Sequence, residues 1–317
     1  MKVMFVGKPF EKLRDTIDPA FSDHIVRIVD DGDLAEEVGW AEAVILRPME
    51  FGENYLSKAD NLRLVQRWGV GYEGLDVDAC SRHGVYACNV PSRGTGNAES
   101  VAETAIMHML LLSRRFSRSQ EKMREGKIFT PPGRALWKKR ACVVGLGDLG
   151  HCVAERLFCL GMEVVGVNRT LREEFENWGI KQVFPLTEME KAFENSDYVI
   201  LCLPLNESTL GIIGENELRF MEKRAFLVNV ARGGLVQREA LEHALKEEWI
   251  AGAGLDVLWE EPHDPDDPFL NNRKVTITPH IGGVTDTSVS GIRDFIAENV
   301  DRISRGQKPS SCLNPEL

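Results

Sequence analysis

Cys142-Val143-Val144-Gly145-Leu146-Gly147-Asp148-Leu149-Gly150 decides the fold of this 317-residue chain. An apolar run ends in a glycine cluster and continues as an amphipathic stretch, Leu149–Leu160. That order predicts a strand, a tight turn and a helix. The first glycine permits the turn, the second lets the backbone approach a pyrophosphate, and the third lets the helix lie close to the sheet. Free N–H groups and the helix dipole favour phosphate charge at such a turn. A second apolar run, Glu163–Val167, completes the unit. The loop is therefore expected to bind a dinucleotide through Gly145, Gly147, Asp148, Leu149 and Gly150.

The second strand ends in Asn168-Arg169-Thr170. Loops that prefer NAD usually place Asp or Glu here, on the ribose 2′-hydroxyl. A carboxylate would repel a 2′-phosphate, whereas Arg169 pairs with it and Thr170 donates to it. The reading favours NADPH as cofactor, with NADH as the alternative in which Asn168 bonds the 2′-hydroxyl.

Strand-like and helix-like pieces alternate on both sides of this unit. Upstream, strands are expected at Val3–Val6, Ile25–Val29, Ala43–Leu46, Leu64–Trp68 and Val85–Cys88. Downstream they are expected at Tyr198–Leu203, Ala225–Asn229, Gly252–Val257 and Val275–Thr278. Alternation of this kind predicts an α/β fold with parallel, doubly wound sheets. Ala98–Arg124 reads as one long helix, its apolar run interrupted by His108. Ser288–Arg305 reads as a terminal amphipathic helix returning to the first domain. The expected domains are residues 1–99 with 286–317, and residues 100–285.

Composition fits a globular protein of roughly two domains. Hydrophobic residues make up 43% and charged residues 27%. The net charge of −11 argues against nucleic acid or an anionic membrane as partner. The seven cysteines, at 80, 88, 142, 152, 159, 202 and 312, form no Cys-x-x-Cys pair. Neither a disulfide framework nor a metal site is expected, and a reducing, cytoplasmic setting fits.

Three phrases near the end of the chain carry chemistry: Asn229-Val-Ala-Arg232-Gly-Gly234, Leu255-Asp256-Val-Leu-Trp-Glu-Glu261-Pro262 and Thr278-Pro-His280-Ile-Gly-Gly283. Each closes an apolar run, so each is expected where a strand gives way to a loop. Arg232 offers a permanent, forked cation suited to a carboxylate. His280 offers a proton near neutral pH. Glu261 is its expected acidic partner, raising the imidazole pKa, although the adjacent Glu260 is equally acidic. Asp256 is placed to bond a nicotinamide carboxamide or to cap a turn. Trp68, Trp259 and Ser92–Gly96 are candidate walls of a substrate pocket, with plain packing as their other reading.

Together these motifs resemble those of the D-isomer-specific 2-hydroxyacid dehydrogenases. The resemblance spans nearly the whole chain. It includes Gly69-Val-Gly-Tyr-Glu-Gly-Leu-Asp76, Val101-Ala-Glu103 and Leu203-Pro-Leu205. The Arg232-to-Glu261 and Glu261-to-His280 separations, 29 and 19 residues, also match the family pattern. The resemblance implies a flavodoxin-like substrate domain, a Rossmann cofactor domain and commonly a homodimer. It implies that Arg232 binds the substrate carboxylate and carbonyl, that His280 donates the proton and that Glu261 sets its pKa. Backbone N–H groups of Val70 and Gly71 would hold the substrate carboxylate. Pro204, Val230, Ala231, Asp256, Gly282 and Gly283 would line the cofactor.

Three departures stand out. Asp148 replaces a residue that is often basic, Asn89–Asn97 is a few residues longer than the common pattern, and Asn168-Arg169 replaces the acidic ribose reader. The implied function is reduction of a small 2-oxo acid, such as glyoxylate or hydroxypyruvate, to a (D-)2-hydroxy acid. The alternatives are a dinucleotide-sensing, corepressor-like binding protein, and 3-phosphoglycerate as substrate.

Overall fold

The computed structural model describes residues 1–317, leaving aside the side chains of residues 173, 174 and 176. The chain divides into two compact units, residues 1–97 with 286–317 and residues 98–285. Helices in the first stretch are α1 (Arg14–Ala20), α2 (Leu34–Glu37), α3 (Glu53–Leu56) and α4 (Val77–Arg82). Then come α5 (Asn97–Ser113), α6 (Phe116–Arg124), α7 (Asp148–Cys159) and α8 (Met189–Phe193). The last are α9 (Glu215–Phe220), α10 (Arg238–Lys246) and α11 (Asp286–Ser304). Among the described residues no helix is long and apolar enough to cross a membrane.

The first unit holds a parallel sheet of β1 (Lys2–Val6), β2 (Ile25–Val29), β3 (Ala43–Leu46), β4 (Leu64–Arg67) and β5 (Tyr86–Cys88). Its strand order, β2-β1-β3-β4-β5, is that of flavodoxin-like folds. Central strands covered on both faces read as unbroken apolar runs, and β1 and β3 do so. Val3, Phe5, Ala43 and Ile45 point to one core, and Met4, Val6, Val44 and Leu46 to the other. The strand period of two produces that division. Helix α11 lays Ile292, Ile296, Val300 and Ile303 on the Val3–Phe5 face.

The second unit holds β6 (Arg140–Val144), β7 (Glu163–Val167), β8 (Ile180–Phe184), β9 (Tyr198–Leu201), β10 (Phe226–Asn229), β11 (Gly252–Leu255) and β12 (Val275–Ile277). All pair in parallel, in the order β12-β11-β10-β9-β6-β7-β8. This is the Rossmann arrangement, reversing direction between β6 and β9, with an added strand at the β12 edge. Strand β8 was not expected from the sequence. It is an edge strand with Lys181 and Gln182 exposed, so it lacks the apolar run that marks a central strand.

The long helix expected over Ala98–Arg124 is two helices. Arg115 adopts a left-handed backbone, φ 49°, between α5 and α6. Helix α5 buries Ala98, Ala102, Ala105, Met109 and Leu112 against the dinucleotide-type sheet, whereas α6 buries no residue. Without packing to extend it, the apolar period ends with α5.

Candidate active site

Strands β10, β11 and β12 are neighbours, so their C-terminal ends deliver three loops side by side. Arg232 follows β10, Glu261 follows β11 and His280 follows β12. Arg232 is half-buried, and its Nη1 donates to Ala231 O at 2.8 Å. Asn229 clamps the turn: its Nδ2 donates to Arg232 O at 2.8 Å, and its Oδ1 accepts from Ala231 N at 3.1 Å.

His280 holds a left-handed backbone, φ 53°. Such a conformation costs a non-glycine residue about 1 kcal/mol or more. It is held in place by the His280 N–H, which donates to Asp256 O at 2.8 Å and Thr278 O at 3.0 Å. The ring Nδ1 lies 2.6 Å from Glu261 Oε2. Glu261 Oε1 in turn accepts from Leu258 N at 3.1 Å. It is Glu261 that reaches the imidazole, and its exposed neighbour Glu260 lines a separate surface cavity with Arg238 and His263.

The hydrogen bond to Glu261 raises the His280 pKa above its ordinary value; burial and the Arg232 charge oppose it, and the charges of Glu261 and Asp256 assist. Burial works to raise the Glu261 carboxyl, yet the bond to His280, its charge, the Leu258 N–H and Arg232 together hold it below the usual range. The pair thus favours imidazolium beside carboxylate. A ring whose other nitrogen, Nε2, is protonated and not engaged by Glu261 is equipped to give a proton to a carbonyl oxygen.

Asp256 is buried at the end of β11. Its Oδ1 accepts from Thr278 Oγ1 at 2.5 Å and Ile281 N at 3.0 Å, and its Oδ2 accepts from Gly282 N at 2.8 Å. The carboxylate is therefore bonded to the segment that carries His280.

The glycine loop lies on the same sheet edge, between β6 and α7. Gly145 has φ 94°, and a Cβ on it would stand 2.9 Å from the Cys202 and Leu203 backbone. A Cβ at Gly150 would stand 2.0 Å from Gly145 O. The fold thus demands glycine at both positions. Nothing lies within 4 Å of a Cβ built at Gly147. Packing does not explain that glycine, whereas a pyrophosphate brought against the backbone does. The residues fit a dinucleotide. Asp148 opens α7 and is exposed, with Leu149 half-buried beside it.

Asn168 braces this loop. Its Oδ1 accepts from Leu146 N at 3.1 Å, and its Nδ2 donates to Thr170 O at 2.7 Å. Arg169 and Thr170 are exposed. Pro204 is exposed past β9, with its carbonyl accepting from Thr209 Oγ1 at 2.7 Å. Val230, Ala231 and Gly282 are buried and Gly283 is half-buried.

Val70 and Gly71 belong to the first unit, in the loop after β4. Asn89 Nδ2 donates to Val70 O at 2.7 Å, and the buried Arg67 donates to Gly71 O at 3.3 Å, Met49 O at 3.2 Å and Glu73 O at 3.2 Å. Of the candidate walls, Trp68 packs edge-on to Phe5 and Phe10 in the first unit. Trp259 packs on Phe269 and donates from Nε1 to Val236 O at 2.6 Å.

The family description "D-isomer specific 2-hydroxyacid dehydrogenase, NAD binding domain" matches residues 106–282, more than half of the chain. The chain belongs to the D-isomer-specific 2-hydroxyacid dehydrogenases. It is 37% identical over 291 residues to a glyoxylate reductase of Thermococcus gammatolerans, covering 90% of this chain and 86% of the relative. A glyoxylate reductase of Korarchaeum cryptofilum is 37% identical over 266 residues, 82% of this chain and 78% of the relative. Among solved structures, the D-lactate dehydrogenase of Aquifex aeolicus complexed with NAD and lactic acid superposes with a TM-score of 0.83. That pair is 26% identical and covers 96% of each chain.

This 2-hydroxyacid dehydrogenase is an oxidoreductase with a Rossmann domain for a nicotinamide dinucleotide. It moves hydride between that cofactor and a 2-oxo acid. Neither the corepressor-like sensor nor a 3-phosphoglycerate enzyme gains support from these relatives. The dehydrogenase also contains polar partners that sequence reasoning missed. Thr278 reads as part of a strand end, and His108 as an interruption of an apolar helix. The one signal for His108 was the interruption itself.

Proposed function

We propose that this dehydrogenase reduces a small 2-oxo acid, with glyoxylate as the first candidate and the (D-)2-hydroxy acid or glycolate as product. The 2.6 Å contact between His280 and Glu261 carries the reading, because it supplies a charged, oriented proton donor at the dinucleotide edge of the sheet. Arg232 orients the substrate through its carboxylate and carbonyl, since a guanidinium makes two parallel bonds to such a group. His280 gives its Nε2 proton to the carbonyl oxygen, and Glu261 steadies the imidazolium. The bound dinucleotide supplies the hydride. The N–H groups of Val70 and Gly71 hold the substrate carboxylate in this reading. The glycine loop, Pro204, Val230, Ala231, Asp256, Gly282 and Gly283 hold the cofactor. In this reading the unit of residues 1–97 with 286–317 is the substrate domain and residues 98–285 are the cofactor domain, within two residues of the division at 99/100 expected from the sequence.

NADPH is the favoured cofactor. Asn168 is already bonded to Leu146 N and Thr170 O, and position 168 itself carries no carboxylate to repel a 2′-phosphate. The exposed Arg169 is available to pair with it. One charged hydrogen bond is worth about 1.5–3 kcal/mol, so kcat/KM is expected to favour NADPH over NADH by roughly tenfold or more. A preference for NADH would reverse this assignment without touching the reaction class.

The homodimer is a further proposal. Phe116, Met123, Ile128 and Phe129 stand exposed on α6 and the connector after it, in the region that commonly pairs in this family. A cytoplasmic location accords with seven free cysteines.

A panel of 2-oxo acids assayed with both cofactors tests the reading. Replacing His280 by Ala is expected to lower kcat about 10²–10⁴-fold, the usual worth of a positioned acid. Near-normal turnover in that variant would refute the proton-donor role.

A further inference from the structure

His108 lies in α5 and is fully buried. A buried imidazole needs a partner on each nitrogen. Here Nδ1 lies 2.8 Å from Thr276 Oγ1, and Nε2 lies 3.0 Å from Thr278 Oγ1. Strand β11 makes room for the ring, since a Cβ at Gly254 would stand 2.6 Å from His108 Cβ.

The proton order follows from the far end. The Asp256 carboxylate only accepts, and it takes the Thr278 hydroxyl at 2.5 Å. Thr278 has one proton and gives it to Asp256, so its oxygen accepts from His108 Nε2–H. Burial lowers the His108 pKa, against the pull of the Asp256 charge, and favours the neutral ring. Nδ1 then carries no proton and accepts from Thr276. A single orientation satisfies every group, running from Thr276 through His108 and Thr278 to Asp256.

The geometry points to His108 as a positioning residue for the proton donor: through Thr278 and Asp256 it sets the backbone that carries His280. Asp256 receives the N–H groups of Ile281 and Gly282, the two residues after His280, and its carbonyl receives the His280 N–H itself. Without Nε2–H, the Thr278 hydroxyl is free to turn away, and Asp256 loses its shortest bond. The left-handed turn at His280 then loses part of its support. This inference rests on His280 being the donor.

Three substitutions separate the relay from simple packing. His108→Gln keeps an N–H within reach of Thr278, His108→Asn reaches only the Thr276 side, and His108→Leu fills the space with no donor. The relay predicts a kcat about tenfold or more lower in the Leu and Asn variants, with Gln within about threefold of wild type, as small misplacements of a catalytic group cost that much. Packing alone predicts the opposite order, because Gln buries an amide that Leu lacks. A Leu variant as active as the Gln variant overturns the proposal.

Should these variants fail to fold, Thr278→Val tests the same link with little change of shape. Its loss is expected to match that of His108→Leu, and the double variant to be no worse than either. Additive losses overturn the relay. Nitrogen NMR of the unliganded protein provides a readout free of activity. The expected His108 ring has a protonated Nε2 and a bare Nδ1, and the reverse tautomer overturns the proposal. Full turnover in His280→Ala would sink the donor role yet leave the tautomer result standing, so the two failures are distinguishable.

Discussion

At the residue scale the functional unit is an imidazole held 2.6 Å from a carboxylate, with a guanidinium on the neighbouring loop. Charge-assisted bonds of this length are among the stronger ones in proteins. The His280 pKa is raised, so the protonated donor persists to higher pH than for a free histidine. Reduction uses that form, and its kcat/KM falls as pH rises through the raised value. Glu261→Gln removes the first cause of the shift and the Glu261 charge, leaving burial and Arg232 to lower it against the Asp256 charge. The alkaline limb of the reduction profile is therefore expected to move to lower pH. Each unit of movement is worth about tenfold in protonated fraction above it. Oxidation, which needs the neutral ring, is expected to extend to lower pH in the same variant. An unmoved limb would separate Glu261 from the titration. The sequence displayed Arg232, Glu261 and His280 plainly, each at the end of an apolar run. It favoured Glu261 as the acidic partner but could not dismiss the equally acidic Glu260, since adjacent residues on a loop have no fixed period. Nor did it show Asn168 turned back on the glycine loop, because that bond depends on how two loops approach each other.

At the element scale, eleven of the twelve strands among the described residues were readable as apolar runs, which are continuous in the central strands because both faces are covered. The exception, β8, lies at the sheet edge, and the adjacent exposed Lys181 and Gln182 break its apolar run. The break between α5 and α6 was also hidden. It carries neither Gly nor Pro, and Arg114-Arg115 looks like an ordinary polar face. The left-handed Arg115 makes a sharp prediction. In the interior of a continuous helix, Arg115→Gly would cost about 1 kcal/mol. At a left-handed position glycine instead relieves a penalty of about 1–2 kcal/mol, partly offset by its greater freedom when unfolded. The variant is expected to be neutral or more stable by up to about 1 kcal/mol in urea unfolding. A loss of a full kcal/mol would argue for a continuous helix in solution. The same scale explains the glycines of β11. Gly252 has the Lys274 carbonyl where a Cβ would stand, 2.3 Å away, whereas Gly254 lets α5 approach closely and so admits His108.

For the whole molecule, the decisive feature is that the first unit is closed by the end of the chain. The sequence suggested this through the amphipathic stretch Ser288–Arg305, expected to return to the first domain, although no local pattern says which strands such a helix covers. Helix α11 contributes Ile292, Ile296, Val300 and Ile303 to the core over β1 and β3. Burial of such side chains is worth about 1.5–3 kcal/mol each. Their sum rivals the about 5–15 kcal/mol that stabilises an entire domain. Polar bonds reinforce the closure. Asn299 Nδ2 donates to Gln66 Oε1 at 2.8 Å, Ala87 N donates to Asn314 Oδ1 at 2.9 Å, and Asn314 Nδ2 donates to Val85 O at 2.9 Å. Without residues 286–317, Gln66 and the Ala87 N–H would lose these partners, at about 1–3 kcal/mol for each group left buried. Residues 1–97 alone are therefore expected to lack a cooperative thermal transition. Residues 98–285 hold their own sheet and both of its cores, and are expected to melt cooperatively and to bind dinucleotide. Circular dichroism melts of the two fragments, with dinucleotide titrated into the second, read both outcomes. A cooperative melt from residues 1–97 would show that the terminal helix decorates the first unit instead of completing it.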